Sequence, residues 1–374
     1  MDTDLNCANI INRASKKRSF PMASVHDSNH HLNNHKQIQS TKKRVVLGDI
    51  TNSNSNSGHF SSNHTSDVIK QRQKQSDKRH TVEECVKSEV SVTFGSIGND
   101  KFLYAPLIYQ HLHSIEIEEK RRPLPNYMEM VQKDVTIGMR EILVDWLVEV
   151  AEEYKLVSDT LFLTVVYIDR YLSLRYLKRN RLQLLGVSCM LVASKIEEIS
   201  HPHVEDFCYI TDNTYTKEEV VQMERHLLKF FDSESTHPTP KTFLRIFIRA
   251  AQEDNMTSCS LFEFLSWFLV ELSLLDYDCL RFLPSMVAAS AVFIAKFTLQ
   301  PERHPWGLKM QRHSGYLPRE LKDCVLVIHD LQLSRRASSS RAIREKYSHH
   351  KLKCVAALRS PSDIPVSYFE DVDD

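Results

Sequence analysis

From about residue 101 onward, apolar positions recur at helical spacing. Tyr104, Ile108, Leu112 and Ile115 are separated by four, four and three residues, which predicts an amphipathic helix. The stretch PLPNYM (123–128) interrupts the pattern, and periodic segments then predict helices over 136–154, 159–174, 180–198, 203–210 and 216–231. Ser158–Asp159 reads as a cap for the second of these, and Thr216-Lys217-Glu218-Glu219 as a capping box for the fifth. STHPTP (235–240) breaks the chain, with Thr239 as a cap and Pro240 at the first helical position. A second series follows over 241–252, 258–276, 282–298 and 317–333, and 341–358 predicts one further helix packed on the body.

The two series echo each other. LGVSCMLVASK (185–195) aligns with MVAASAVFIAK (286–296), 101 residues later, and both mix small residues with large apolar ones on every side. Such helices are central ones, because small residues allow close approach and no face is left for water. The expectation is an all-α fold of two tandem five-helix units, preceded by a lone helix. The domains are then 1–100, 101–234 and 235–374.

Helix 138–154 (GMREILVDWLVEVAEEY) carries two apolar stripes. Met139, Ile142, Leu143, Trp146 and Val150 form one, and Val144, Leu147, Val148 and Ala151 the other, with Glu149 flanking the first. Periodicity leaves two readings open: both stripes are core, or one is offered to a partner peptide carrying a basic residue and a leucine.

Composition supports the helical reading. Eight glycines in 374 residues are too few for turn-rich β architecture, and none forms a phosphate-cradling GxGxxG or GxxxxGK[ST] loop. Eight scattered cysteines with no CxxC suggest buried thiols in a reducing compartment. No secretory leader or membrane-spanning run is read, and the expectation is a soluble intracellular protein without a cofactor.

The formal net charge of zero is an average. Residues 1–80 hold 13 Lys+Arg against 6 Asp+Glu, a net +7; the remainder carries −7. That head is 22 parts Ser and Asn in 80, with Phe20 and Phe60 its only aromatics, which predicts a disordered tail. The acidic body disfavours a nucleic-acid-binding role. His201-Pro202-His203 with Glu205 and Asp206 reads as a helix start rather than a metal cluster.

The long motifs MREILVDWLVEV, EEYKL, LFLTVVYIDRYLS, LLGVSCMLVASKIEEI and YITDNTYTKEEVVQMERHLL resemble the first cyclin box of A-type cyclins. FLSWFLVELSLLDYDCLRFLPSMVAASAVFIAKFTL and SGYLPRELKDCVLVIHDL resemble the second box. The short head and the REKYSHHKLKCVA and YFED ending are most similar to the small plant A-type subgroup. The resemblance implies a regulatory subunit, not an enzyme, that binds and activates a cyclin-dependent kinase; the alternative is a transcription-factor-like binding protein on the same fold.

Residue roles follow from that resemblance alone. It implies that Arg140 and Asp169 form a structural ion pair. Lys195 and Glu224 would grip the kinase, with Val192 and Ile196 as an apolar floor and Tyr104 and Ile108 contributed by the N-terminal helix. Met139, Ile142, Leu143, Trp146, Glu149 and Gln183 would dock RxL-type substrates and inhibitors. Arg44-Val45-Val46-Leu47-Gly48-Asp49-Ile50-Thr51-Asn52 resembles the destruction box read by the anaphase-promoting ubiquitin ligase, with Arg44, Leu47 and Asn52 its defining positions. Lys70, Lys74, Lys78 and Lys87 follow as candidate acceptors. Lys16-Lys17-Arg18 and Lys42-Lys43-Arg44 are candidate import signals, and the expected location is the nucleus, with or without a cytoplasmic pool. Ser360-Pro361 is a candidate proline-directed phosphosite.

Overall fold

The computed structural model describes residues 105–231, 237–252, 260–336 and 341–370. The 1–80 head, the destruction-box resemblance, both basic triplets and Tyr104 lie outside the described residues.

The described residues form helices and turns without strands. Helix α1 (Ala105–Glu116) and a single turn, α2 (Tyr127–Met130), lead into the first repeat. That repeat comprises α3 (Ile137–Glu153), α4 (Ser158–Leu174), α5 (Leu182–Glu197), α6 (Val204–Ile210) and α7 (Lys217–Phe231). The second comprises α8 (Pro240–Gln252), α9 (Ser260–Ser273), α10 (Pro284–Leu299), α11 (Leu308–Ser314) and α12 (Pro318–Gln332). Helix α13 (Ala342–Tyr347) opens the C-terminal segment.

Both aligned stretches are the centres of their repeats. Every residue from Leu182 to Ser194 is buried, and α5 packs against α3, α4, α6 and α7. Helix α10 is buried over Val287–Ala295 and packs against α8, α9 and α12. Gly186 shows why a small residue is needed: a Cβ there would lie 2.9 Å from Leu143 Cδ1, so α3 and α5 approach closely at that point.

The caps test the local reading. Thr216 Oγ1 accepts from Glu219 N at 3.3 Å while Thr216 N donates to Glu219 Oε2 at 3.1 Å, a reciprocal capping box. Thr239 Oγ1 accepts from Thr242 N, with Pro240 first in the helix. Ser158 departs from expectation. It is already helical and its hydroxyl donates to Glu271 Oε1 at 3.1 Å, in the other repeat. The start of α4 is closed by Glu198, which accepts from Val157 N at 2.6 Å and from the Thr160 hydroxyl at 2.7 Å.

Two further differences concern the second repeat. Its fourth helix, α11, was not legible as a helix: it is a single seven-residue stretch set between prolines and ended by Gly315 at φ +76°. The expected helix over 341–358 is α13 alone, followed by two short 3₁₀ turns at His350–Leu352 and Val355–Ala357. Lys353 and Cys354 take positive φ between them, which a continuing helix does not allow.

Candidate functional site

The joint between the repeats is built on Arg140. Its Nε and Nη2 donate to the two oxygens of Asp169, both at 2.7 Å, joining α3 to α4 in a bidentate pair closed to solvent. Its remaining Nη1 donates across the chain to the carbonyl oxygens of Leu274 (3.0 Å) and Leu275 (3.4 Å), just past α9. Tyr127 completes the shell by donating its hydroxyl to Asp169 Oδ1 at 2.8 Å. The Tyr127 ring stands edge-on to Tyr277, whose hydroxyl accepts from Met128 N.

A second joint centres on Glu271, buried in α9. Its carboxylate accepts from Ser158, from Tyr347 Oη at 2.9 Å and from Lys346 Nζ, which also reaches Glu152 of α3 at 3.2 Å. The C-terminal segment thereby clamps both repeats, and Asp145 of α3 accepts from Ala342 N at 2.9 Å, closing the start of α13. Burial raises the Asp145 carboxyl above the usual range, opposed by the amides of Ala342 and Arg341. Nearby, Arg245 pairs with Asp159, and the buried Lys241 ammonium sits 3.7 Å from the centroid of the Trp267 ring. Burial pushes Lys241 down to about 8.

Helix α1 is anchored on the second repeat. Glu116 accepts from Ser285 N at 2.9 Å and from the Ser285 hydroxyl, placing a carboxylate on the positive N-terminal end of α10. Tyr109 donates to the Ser314 carbonyl at 2.6 Å. The inward face is therefore Tyr109, Leu112 and Glu116, and Leu107 and Ile108 point to water. Ile108 thus belongs to the outward face, not to a buried stripe.

The end of α5 meets α7 at an ion pair. Lys195 Nζ lies 2.5 Å from Glu224 Oε1; the lysine side chain is 38% exposed and the glutamate 9%. Three large aliphatics are exposed here: Ile196 beside the lysine, Leu228 one turn beyond the glutamate, and Ile199 just past the end of α5, which is fully open to solvent. Val192 is buried in the core rather than on this surface. At the start of α6, Asp206 accepts from His203 N at 2.7 Å, so its carboxylate serves the helix end. Among the described residues no group of three or more His, Cys, Asp and Glu could hold a metal ion, and no helix is long and apolar enough to cross a membrane.

The stripe on α3 is mostly closed. Met139, Leu143, Trp146 and Val150 are buried, Ile142 is half-buried, and the second stripe is buried throughout. Gln183, the second residue of α5, is 3% exposed, and neither its amide oxygen nor its nitrogen has a hydrogen-bond partner. An unsatisfied buried primary amide is costly, which marks Gln183 as unusual in this core.

Residues 107–235 match the cyclin N-terminal domain, and residues 238–361 match the cyclin C-terminal domain. The chain belongs to the cyclin family. It is 61% identical over 269 residues to Cyclin-A3-2 of Oryza sativa subsp. japonica, covering 72% of this chain and 70% of that one. It is 45% identical over 374 residues to the putative cyclin-A3-1 of Arabidopsis thaliana, covering 99% of each. It is also 50% identical over 340 residues to the G2/mitotic-specific cyclin C13-1 of Daucus carota, covering 89% of this chain and 97% of the relative. A viral cyclin from herpesvirus saimiri has the same fold, with TM-score 0.53 and 22% identity over 60% of this chain and 96% of that one. This cyclin is accordingly of the plant A type, with two tandem cyclin boxes, and is a regulatory subunit of a protein kinase rather than an enzyme.

Within the cyclin, the structure brings together Arg140 with Asp169 and Lys195 with Glu224, the first pair buried in the core and the second at the surface. Glu116 and Glu271 were not singled out from sequence. Both lie in amphipathic helices where a glutamate reads as solvent-facing, and only the distant partners Ser285, Lys346 and Tyr347 explain their burial.

Proposed function

We propose that this cyclin binds its cyclin-dependent kinase through the face made by the end of α5 and by α7, with the outward residues of α1 extending the contact. The observation that carries this is the Lys195–Glu224 pair set beside exposed Ile196, Ile199 and Leu228. An exposed apolar group rimmed by charge is a protein-docking surface in type. The core beneath it is buried and rigid, so the surface is presented without an ordering cost. A kinase is active when its αC glutamate pairs with the strand lysine and its activation loop is in place. A surface complementary only to that arrangement shifts the equilibrium by its differential affinity, and the cyclin contributes no chemistry.

On this reading Met139, Ile142, Leu143, Trp146, Glu149 and Gln183 recruit RxL-type substrates and inhibitors. The unpartnered Gln183 amide supports it, since an extended peptide backbone offers both a donor and an acceptor. The Arg44–Asn52 segment serves destruction by the anaphase-promoting ubiquitin ligase, and the basic triplets direct the complex to the nucleus. The kinase-binding claim is tested with Lys195→Glu, which puts two carboxylates where the pair stood. Co-precipitation of the kinase and phosphorylation of histone are both expected to fall at least tenfold while thermal unfolding stays near that of the parent. Undiminished kinase capture would remove the assignment.

A further inference from the structure

Beyond α13, residues 348–370 run as a strap along the second box. Its far end is inserted: Phe369 is buried and stacks on Phe293 of α10, with ring centroids 5.5 Å apart and planes within 2°. Tyr368 donates to the Pro301 carbonyl at 2.8 Å and stands edge-on to Phe297. The middle of the strap is held differently. No helix is formed over 358–365, and among the described residues 359–364 make no backbone–backbone hydrogen bond. Arg335 donates to the Ser362 carbonyl at 2.6 Å, and His329 of α12 meets both the Ser360 hydroxyl (Nε2···Oγ 3.1 Å) and the Pro361 backbone.

Ser360-Pro361 and Thr239-Pro240 are the two Ser/Thr-Pro pairs of the chain. Thr239 caps α8 and Pro240 is helical, so that pair is locked into the start of a helix. Ser360 lies in non-helical chain between exposed Arg359 and exposed Ser362 and Asp363. Ser360 itself is shut, at 8% exposure, with its hydroxyl against His329. A stretch with so few backbone bonds opens locally at small cost.

We propose that Ser360 is a phosphorylation site for a proline-directed serine kinase, and that its modification releases the C-terminal strap from the second box. The γ-phosphoryl group of ATP passes to Ser360 Oγ as the bond from the γ-phosphorus to the β,γ-bridging oxygen breaks. ADP leaves, and the hydroxyl proton goes to the kinase's catalytic aspartate. The product carries about −1.5 to −2 charge where a hydroxyl had fitted. The groups that face it do not receive it well. Burial lowers His329, so its ring is neutral near pH 7, and Asp330 and Asp363 are the carboxylates beside it. Arg335 is already engaged by Asp330 at 3.3 Å and by the Ser362 carbonyl. A dianion cannot return to that closed position, so residues 359–370, with Tyr368 and Phe369, leave the α10–α12 surface.

The test treats the purified full chain with a mitogen-activated protein kinase and MgATP, beside a peptide spanning residues 352–368. Mass spectrometry is expected to place phosphate on Ser360 in both, and none there in the Ser360→Ala chain. Hydrogen exchange over residues 366–370 is expected to speed at least tenfold after phosphorylation, with α5 and α10 unchanged. Modification of the peptide but not of the native chain would overturn the site. A phosphorylated chain with unchanged or slower exchange would overturn the release. A His329→Leu chain of parental helicity should be phosphorylated at least fivefold faster, the shift in local opening that loss of even one ordinary hydrogen bond produces; an unchanged rate would remove the clamp.

Discussion

Replacing Arg140 by Met tests whether the two boxes are held as one unit. The substitution keeps bulk and apolar contact but removes five donors from a closed site. Asp169 loses both 2.7 Å bonds and keeps only the Tyr127 hydroxyl, leaving a carboxylate in the core with one partner. Breaking a buried pair from one side costs about 3–5 kcal/mol. The Leu274 carbonyl loses its 3.0 Å donor as well, and about 1 kcal/mol is added for that hydrogen bond. For a folded body of this size, such a loss lowers the unfolding midpoint by roughly 10 °C. Urea denaturation followed by tryptophan fluorescence is a suitable assay, because Trp146 reports on the first box and Trp267 and Trp306 on the second. Arg140→Met with Asp169→Leu should recover only part of the loss, since the Leu274 carbonyl and the Tyr127 hydroxyl stay unmet. A cost below about 1 kcal/mol for Arg140→Met would refute the reasoning, because it would mean that the pair and its carbonyl contacts contribute no more than an exposed ion pair.

The buried Lys241 gives a prediction in pH. Its value of about 8 in the fold, against 10.5 unfolded, means that the cost of burying the charge is full below pH 8 and is relieved as pH rises toward 10.5. Lys241→Met should therefore be more stable than the parent at pH 7, with the gap narrowing by pH 9.5 in parallel urea titrations; a constant gap would contradict this. Glu116→Gln should weaken the hold on the α10 N-terminus by about 1 kcal/mol, read as faster hydrogen exchange confined to residues 105–116. Trp146→Ala should depress phosphorylation of RxL-bearing substrates while sparing a short peptide substrate, and equal loss on both would count against a docking role.

The helices were legible wherever apolar residues ran for three turns or more, as two stripes in α3 and on every side in α5 and α10. Capping chemistry was legible where it was local: Thr216 and Thr239 take the partners that their sequence neighbourhood offers. It failed at Ser158, where a hydroxyl that could have capped α4 serves Glu271, 113 residues away. Helix α11 lacked the length to show a period, and the segment after α13 is ended by positive φ at Lys353 and Cys354, residues that carry no turn signal in sequence. For the site, it was the resemblance to A-type cyclins, not any local pattern, that placed Arg140, Asp169, Lys195 and Glu224 in candidate roles. Which carbonyls Arg140 also reaches, and that Ile108 faces outward, depend on how two repeats meet, and no local pattern encodes that.

The acceptors that Arg140 finds in the second box belong to the main chain. Side-chain changes at positions 274 and 275 therefore leave them in place, and the joint tolerates drift in the second box so long as α9 ends at the same residue. Insertions or deletions before Leu274 are another matter, because they move the carbonyls themselves. A hybrid that carries the first box of this cyclin and the second box of a relative should keep the Arg140 contacts when the span from α8 to the end of α9 is conserved in length, and the second joint when Glu271, Lys346 and Tyr347 are retained as well. At the Arg140 joint, compatibility between halves is then set by residue count before it is set by residue identity.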